Sequence, residues 1–206
     1  MTSPLGSFRL ANALTYASLS CGVGALSAAI QGNQAACGAL LATAVVCDTF
    51  DGQFARRLRR ASRDTASRTE FGGELDSLVD AVTFGAMPVV CAGLLFDANG
   101  FFWWAAVFVY ICCAVTRLGF YNLTARATTN PRPDFVGLPS PVAALFWSSA
   151  LLFDPHSALL VVLAVSMGAA MIAPFRIARP TGAGLLVFAL WPATLMAAHG
   201  MALASR

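Results

Sequence analysis

The chain contains no lysine, and only 11% of its 206 residues are charged. Hydrophobic residues make up 58% of the sequence, and the mean hydropathy is +0.70. This composition excludes an ordinary soluble domain and indicates a protein with several membrane-spanning segments. The formal net charge of +3 is also too small to indicate nucleic-acid binding, so we expect no nucleic-acid partner.

The six cysteines lie inside apolar runs, and neither a CxxC motif nor a Cys/His ligand spacing is present. We interpret them as small buried hydrophobic side chains. The two histidines are isolated in the sequence, near predicted helix ends, and we assign them no chemistry. Since there is no internal repeat or low-complexity tract, we predict a single membrane domain over residues 1–206.

Seven apolar segments are candidates for membrane spans, because about 20 residues of helix cross a bilayer. We therefore predict an all-α integral membrane protein, a polytopic bundle of six to eight transmembrane helices with seven as the best count. The predicted spans are residues 10–30, 34–55, 74–96, 101–121, 139–153, 157–175 and 182–203. A signal peptide is the competing interpretation of the first, although further spans follow it and no hydrophilic mature domain does.

The thirteen arginines are unevenly distributed between the predicted loops. If the N-terminus is inside, twelve of them lie on one side of the membrane, at Arg9, 56–68, 117–132 and 176–179. By the positive-inside rule that side is cytoplasmic. We therefore predict a protein of the inner cell membrane, with the cytoplasmic ends of the second and third spans next to the arginine-rich segment.

Seven of the ten acidic residues lie between residues 48 and 80. On a helix, the spacing i, i+3, i+4, i+7 would place two carboxylates and two very small side chains on one face. These four residues are Asp48, Asp51, Gly52 and Ala55. A second stripe begins one turn after Gly72 and carries Asp76 and Asp80. Two helices are therefore predicted to face each other across a shared acidic site on the cytoplasmic side.

Four carboxylates at this depth need positive partners. Each ionised residue costs about 2.5–3.5 kcal/mol near the bilayer centre, and like charges also repel one another. Oxygen ligands without histidine or cysteine favour Mg²⁺, Mn²⁺ or Ca²⁺ over zinc, and a pair of such ions suits in-line displacement at phosphorus. We therefore expect a di-metal site with two divalent cations, Mg²⁺ or Mn²⁺. Pairing of the carboxylates with arginine is the structural alternative.

The pattern Asp48-x2-Asp51-Gly52-x2-Ala55-Arg56, followed by Gly72-x3-Asp76-x3-Asp80, resembles the signature of the CDP-alcohol phosphotransferases. These are membrane enzymes that move a phosphatidyl group from a CDP-activated lipid to an alcohol. The resemblance implies that the four aspartates bind the cations and that Asp80 is also the general base for the attacking hydroxyl. Fifteen residues separate Arg56 from Gly72, more than the family usually has, and we interpret them as a lengthened loop.

The resemblance also implies a binding site for the CDP-lipid. Glycine inside a helix costs about 1 kcal/mol relative to alanine, so a glycine on the acidic stripe indicates that the nucleotide approaches the backbone closely. The first span contains an Asn-x-x-Thr element that resembles one near the nucleotide in the family; simple polar packing between helices is the alternative. The candidate CDP-lipid residues are Asn12, Thr15, Gly52, Ala55, Arg56, Thr69 and Gly72.

Residues 71–88 and 135–144, with 117–122 between them, resemble the CDP-diacylglycerol–serine O-phosphatidyltransferase branch of the family. The resemblance implies CDP-diacylglycerol and L-serine as substrates, contact with membrane lipids, and a homodimer. This branch commonly has a further arginine where the chain has Phe120. A serine carboxylate needs cationic or amide donors, so other residues must serve. The candidates for acceptor binding are Arg117, Asn122, Arg126 and Arg176. For each arginine, the alternative role is membrane anchoring.

Two other functions stay open. The same chemistry with glycerol 3-phosphate or an inositol phosphate as acceptor would use arginines close to the site, and segment 56–68 offers them. A membrane cation transporter would also need intramembrane carboxylates, but it would require a polar route to the far side. The far halves of the second and third spans are apolar, which argues against transport.

Overall fold

The computed structural model describes residues 12–62, 66–127, 135–177 and 183–205, with side-chain detail outside 52–70, 125–127 and 183–188. Within these ranges the protein is mostly helical, which confirms the predicted class. A π-helical segment, Ala81–Ala86, joins two of the helices into one continuous rod. The α-helices are α1 (Ala13–Ile30), α2 (Gln34–Ser62), α3 (Ala66–Asp80), α4 (Met87–Leu95), α5 (Phe101–Ala127), α6 (Ser140–Ala150), α7 (Ser157–Ile172) and α8 (Ala183–Ala204).

Three helices in the described ranges are long and apolar enough to cross a membrane: Ala13–Ile30, Phe71–Leu95 and Phe101–Thr124. They correspond to the first, third and fourth predicted spans. The helix at the fifth predicted span, α6, has only 11 residues and is packed inside the bundle. The number of spans therefore stays a prediction, while the membrane character of the chain rests on these three helices.

The arginine-rich interval is not the lengthened loop that the sequence predicted. Helix α2 continues to Ser62 and α3 begins at Ala66, so only residues 63–65 between them lie outside the described part. The reason is local: residues 56–71 contain no glycine or proline. Arginine, alanine and glutamate are good helix formers, which explains why residues 56–62 continue α2 and residues 66–71 belong to α3.

The π-helical segment is explained by a proline two residues after its end. Pro88 has no N–H group, so it cannot donate the usual helical hydrogen bond to the carbonyl of Phe84 four residues earlier. The backbone widens: the N–H of Met87 bonds to the carbonyl of Val82, five residues before it. The Tyr110 hydroxyl of α5 donates to the Phe84 carbonyl at 3.0 Å. A distortion that begins directly after Asp80 is thus held by a second helix.

Helix α2 is at the centre of the bundle and packs against α1, α6 and α8. At its start, the Gln34 amide donates to the carbonyls of Leu151 and Phe153 at 2.7 and 2.8 Å, which ties it to the end of α6. A second contact involves Gly38, where an added Cβ would lie 2.1 Å from the imidazole of the fully buried His199 in α8. The close approach of α8 therefore requires glycine here.

Helices α5 and α7 form the other half of the core, with α4 and α6 against them. Tyr110 and Trp147 are fully buried there and meet edge to face, with ring centroids 6.0 Å apart. A short antiparallel pair of strands, Phe135–Val136 with Arg176–Ile177, joins the segment before α6 to the segment after α7. The sequence did not predict it. Gly137 follows it with φ of 69°, and a Cβ there would lie 2.0 Å from the carbonyl oxygen of Met171.

Candidate active site

The structure brings all four predicted aspartates together. Helix α2 carries Asp48 and Asp51, and the last turns of α3 carry Asp76 and Asp80. Carboxylate oxygens of Asp48, Asp76 and Asp80 all lie within 4.8 Å of one another. The Asp48 carboxyl also contacts that of Asp80, and the Asp51 carboxyl contacts that of Asp76. Two pairs of carboxyl groups therefore lie next to each other across the two helices, although the roles of these residues stay predictions.

The cluster concentrates negative charge in a place with little water. Asp51 is only 7% exposed, and the other three carboxyl groups are half-buried. Two unit charges about 4–5 Å apart repel by roughly 3–4 kcal/mol at an effective dielectric constant of about 20. Arg117 of α5 is near Asp80 but supplies a single positive charge. The all-oxygen set of donors fits hard divalent cations such as Mg²⁺ or Mn²⁺.

Helix α1 adds a hydroxyl to the acidic cluster. The Thr15 hydroxyl, 4% exposed, donates a hydrogen bond to Oδ2 of Asp51. One turn later, Ser18 Oγ donates to the carbonyl of Ala44 at 3.1 Å. Asn12 at the start of α1 is also buried. The first helix therefore contacts α2 through polar groups on the side where the aspartates lie.

Helix α5 supports the other side of the cluster. Arg117 is 7% exposed, and its Nε has no hydrogen-bond partner within the described ranges. One turn further, Asn122 and Ser77 exchange hydrogen bonds of 2.9 and 3.1 Å. Ser77 lies between Asp76 and Asp80 in α3, so this contact holds the second acidic stripe against α5. The sequence analysis missed Ser77, because a serine next to an aspartate carries no distinctive pattern.

Several predicted site residues lie outside the part of the chain that is described with side chains. The side chains of Gly52, Ala55, Arg56, Thr69 and Arg126 fall outside the described part, although their backbones lie in α2, α3 and α5. Two others lie in the part that is described with side chains: Gly72 is half-buried in α3, and Arg176 is exposed on the short strand. All of these assignments stay predictions.

Comparison with known proteins gives a consistent set of matches. The sequence profile of CDP-alcohol phosphatidyltransferases matches residues 8–175. The CDP-diacylglycerol–serine O-phosphatidyltransferase of Mycobacterium tuberculosis is 34% identical over 139 residues, which cover 66% of this chain and 46% of that protein. The chain thus spans about half the length of the mycobacterial relatives that it matches.

Two shorter relatives are covered more fully. The archaetidylserine synthase of Methanothermobacter thermautotrophicus is 30% identical over 181 residues, or 85% of this chain and 72% of that protein. The CDP-diacylglycerol–serine O-phosphatidyltransferase of Bacillus subtilis is 29% identical over 133 residues, which cover 64% of this chain and 69% of the relative. The match to the family profile includes the whole of the aspartate cluster, since the cluster lies between residues 8 and 175.

Proposed function

Because the chain belongs to the CDP-alcohol phosphatidyltransferase family, we propose that it transfers the phosphatidyl group of CDP-diacylglycerol to the hydroxyl of L-serine. The products are phosphatidylserine and CMP. The observation that carries the proposal is the meeting of three carboxyl groups from two helices within 4.8 Å, with Asp51 beside them. The choice of serine is supported by the names of the relatives in Mycobacterium tuberculosis and Bacillus subtilis.

The four aspartates would hold two divalent cations, Mg²⁺ or Mn²⁺. When bound, such cations supply the positive charge that a diphosphate and the departing CMP need. The chain itself contributes the rigid frame: α2 and α3 present the carboxyl groups, and α1 and α5 hold them from either side. The CDP-lipid would lie against the start of α1, the end of α2 and the start of α3, where its candidate residues occur.

Asp80 is the proposed general base. It is the last residue of α3, directly before the π-helical segment whose Phe84 carbonyl accepts the Tyr110 hydrogen bond. A general base must reach the hydroxyl proton that it removes. Arg117 lies near Asp80, and its guanidinium would attract the carboxylate of the acceptor towards the base.

Arg117 is therefore the proposed contact for the serine carboxylate. It is buried near the general base and its Nε is available among the described residues, whereas the Asn122 side chain is engaged with Ser77. Arg126 and Arg176 are the remaining candidates, and Arg176 is exposed to its surroundings. An arginine that binds a carboxylate can form two parallel hydrogen bonds, which fixes the orientation of the acceptor.

The setting of the reaction is also a proposal. We place the protein in the inner cell membrane, with the aspartates facing the cytoplasm, on the basis of the arginine distribution. The long apolar helices would contact membrane lipids directly. A homodimer is the proposed assembly, by resemblance to the family.

The test is a transfer assay with purified protein in detergent micelles. CDP-diacylglycerol and Mn²⁺ are supplied with radiolabelled L-serine, glycerol 3-phosphate or an inositol phosphate in separate reactions. We expect labelled phosphatidylserine and stoichiometric CMP from serine, and neither in excess EDTA. A product from glycerol 3-phosphate or inositol phosphate alone would overturn the choice of serine. If no acceptor gave metal-dependent CMP release, the transferase assignment would be overturned, and a membrane cation transporter would be the remaining alternative.

A further inference from the structure

Thr15 contributes a third helix to the aspartate cluster. The four aspartates come from α2 and α3, whereas Thr15 is in α1, 36 residues before Asp51. Its hydroxyl is buried and donates to one carboxylate oxygen of Asp51. A hydroxyl has a single hydrogen to donate, so this hydrogen is committed to the carboxylate.

A hydrogen bond of this kind has a known effect on metal binding. A carboxylate that ligates a cation is commonly held in place by a second residue, and loss of that partner typically lowers metal affinity 10–100-fold. In this cluster the need is strong, because Asp51 also contacts Asp76 across the helix pair. The Thr15 hydroxyl holds Oδ2 from a third helix, and it therefore restricts rotation of the Asp51 carboxylate towards or away from its neighbours.

We propose that Thr15 is a positioning residue, whose hydroxyl fixes the orientation of the Asp51 carboxylate for a divalent cation. In this role Thr15 acts through Asp51. The role replaces the direct CDP-lipid contact predicted for Thr15 from the sequence, which leaves Asn12 as the CDP-lipid candidate at the start of α1. This inference rests on the proposed function, since it requires a divalent cation at the four aspartates.

The chain provides a matched control one turn along the same helix. Ser18 is 1% exposed and, like Thr15, donates a hydroxyl hydrogen bond from α1 to α2. Its acceptor is the backbone carbonyl of Ala44, which is not part of the acidic cluster. Ser18→Ala therefore removes a buried hydrogen bond between the same two helices and leaves every carboxylate with its partner.

The test measures Mn²⁺ binding directly, from the electron paramagnetic resonance signal of free Mn²⁺, with detergent-purified full chain and no CDP-lipid. Thr15→Val keeps the shape of the side chain and removes the hydroxyl, and we expect a 10–100-fold higher dissociation constant for Mn²⁺. Thr15→Ser retains the hydroxyl and should bind within about threefold of wild type. Ser18→Ala should bind Mn²⁺ as wild type does.

A second readout separates the metal from the nucleotide. At saturating Mn²⁺, the KM of Thr15→Val for CDP-diacylglycerol should return to within about twofold of wild type, because the metal site is then full. A KM that stayed high would indicate a lost contact with the substrate itself. The inference is overturned if Thr15→Val binds Mn²⁺ normally, if Ser18→Ala weakens binding equally, or if the KM stays high at saturating metal. Should Thr15→Val fail to fold, Thr15→Ala, a better helix former, is measured in its place. Wild-type protein that binds no Mn²⁺ and shows no CMP release with either Mn²⁺ or Mg²⁺ would overturn the proposed function itself, whereas an unchanged Thr15→Val overturns only the role of Thr15.

Discussion

Replacing Asp80 with asparagine should raise the stability of the metal-free protein and also strongly reduce turnover. The Asp80 carboxyl lies within 4.8 Å of those of Asp48 and Asp76, and asparagine has the same shape without the charge. Each ionised pair at this distance repels by roughly 3–4 kcal/mol at an effective dielectric constant of about 20. Shared protons relieve part of this repulsion, so we expect metal-free Asp80→Asn to gain about 1–3 kcal/mol in free energy of unfolding.

Thermal unfolding in detergent with EDTA measures that gain, which corresponds to a rise of roughly 2–12 °C in Tm for a chain of this size. Added Mn²⁺ should then stabilise wild type more than the variant, because the variant has lost a ligand. Transfer to radiolabelled serine at saturating Mn²⁺ should fall by about 10²–10⁴-fold, as for removal of a general base. Asp154→Asn, the same chemical change at an exposed loop position, should alter neither quantity.

The result that refutes this reasoning is specific. A lower Tm of Asp80→Asn in EDTA would mean that the carboxylate stabilises the metal-free fold, so that the cluster is a structural network. Full turnover with an unchanged affinity for CDP-diacylglycerol would show that another group takes the proton of the acceptor.

Three further substitutions test other contacts. Tyr110→Phe leaves the carbonyl of Phe84 without its donor, so we expect a loss of about 1–3 kcal/mol in unfolding free energy, together with slower transfer. Gly38→Ala places a Cβ 2.1 Å from the α8 imidazole and should cost about 1–3 kcal/mol or more, whereas Gly200→Ala meets nothing within 4 Å and should be tolerated in the same denaturation assay. Arg117→Met should raise the KM for serine at least tenfold and leave Mn²⁺ binding intact, and an unchanged serine KM would exclude this arginine from the acceptor site.

Much of the helix layout could be predicted because bilayer thickness and side-chain periodicity are local properties of the sequence. The apolar run predicted at 101–121 begins at the first residue of α5, and the acidic spacing at 48–51 and 76–80 places the carboxyl groups of two helices face to face. The arginine-rich interval was interpreted wrongly, because charge indicates where a chain leaves the membrane and says nothing about where its helix ends.

Contacts between distant segments were beyond the reach of the sequence. The π-helical segment depends on Pro88 and also on a hydroxyl that arrives from α5. The bond from Thr15 to Asp51 depends on how closely α1 packs against α2. The strand pair at Phe135–Val136 has two residues a side, too few for any periodicity to be visible. These features form only when the whole bundle is assembled.

The length of α2 has a consequence for where the reaction can occur. The helix begins at Gln34, and Asp51 lies 17 residues further on, which corresponds to about 26 Å of rise. The hydrocarbon layer of a typical bilayer is about 30 Å thick. In the proposed membrane setting, an upright α2 with Gln34 at one boundary of that layer would hold its carboxylates close to the opposite boundary. A thinner lipid mixture would leave them in open water and a thicker one would submerge them, so lipid thickness alone should tune the rate.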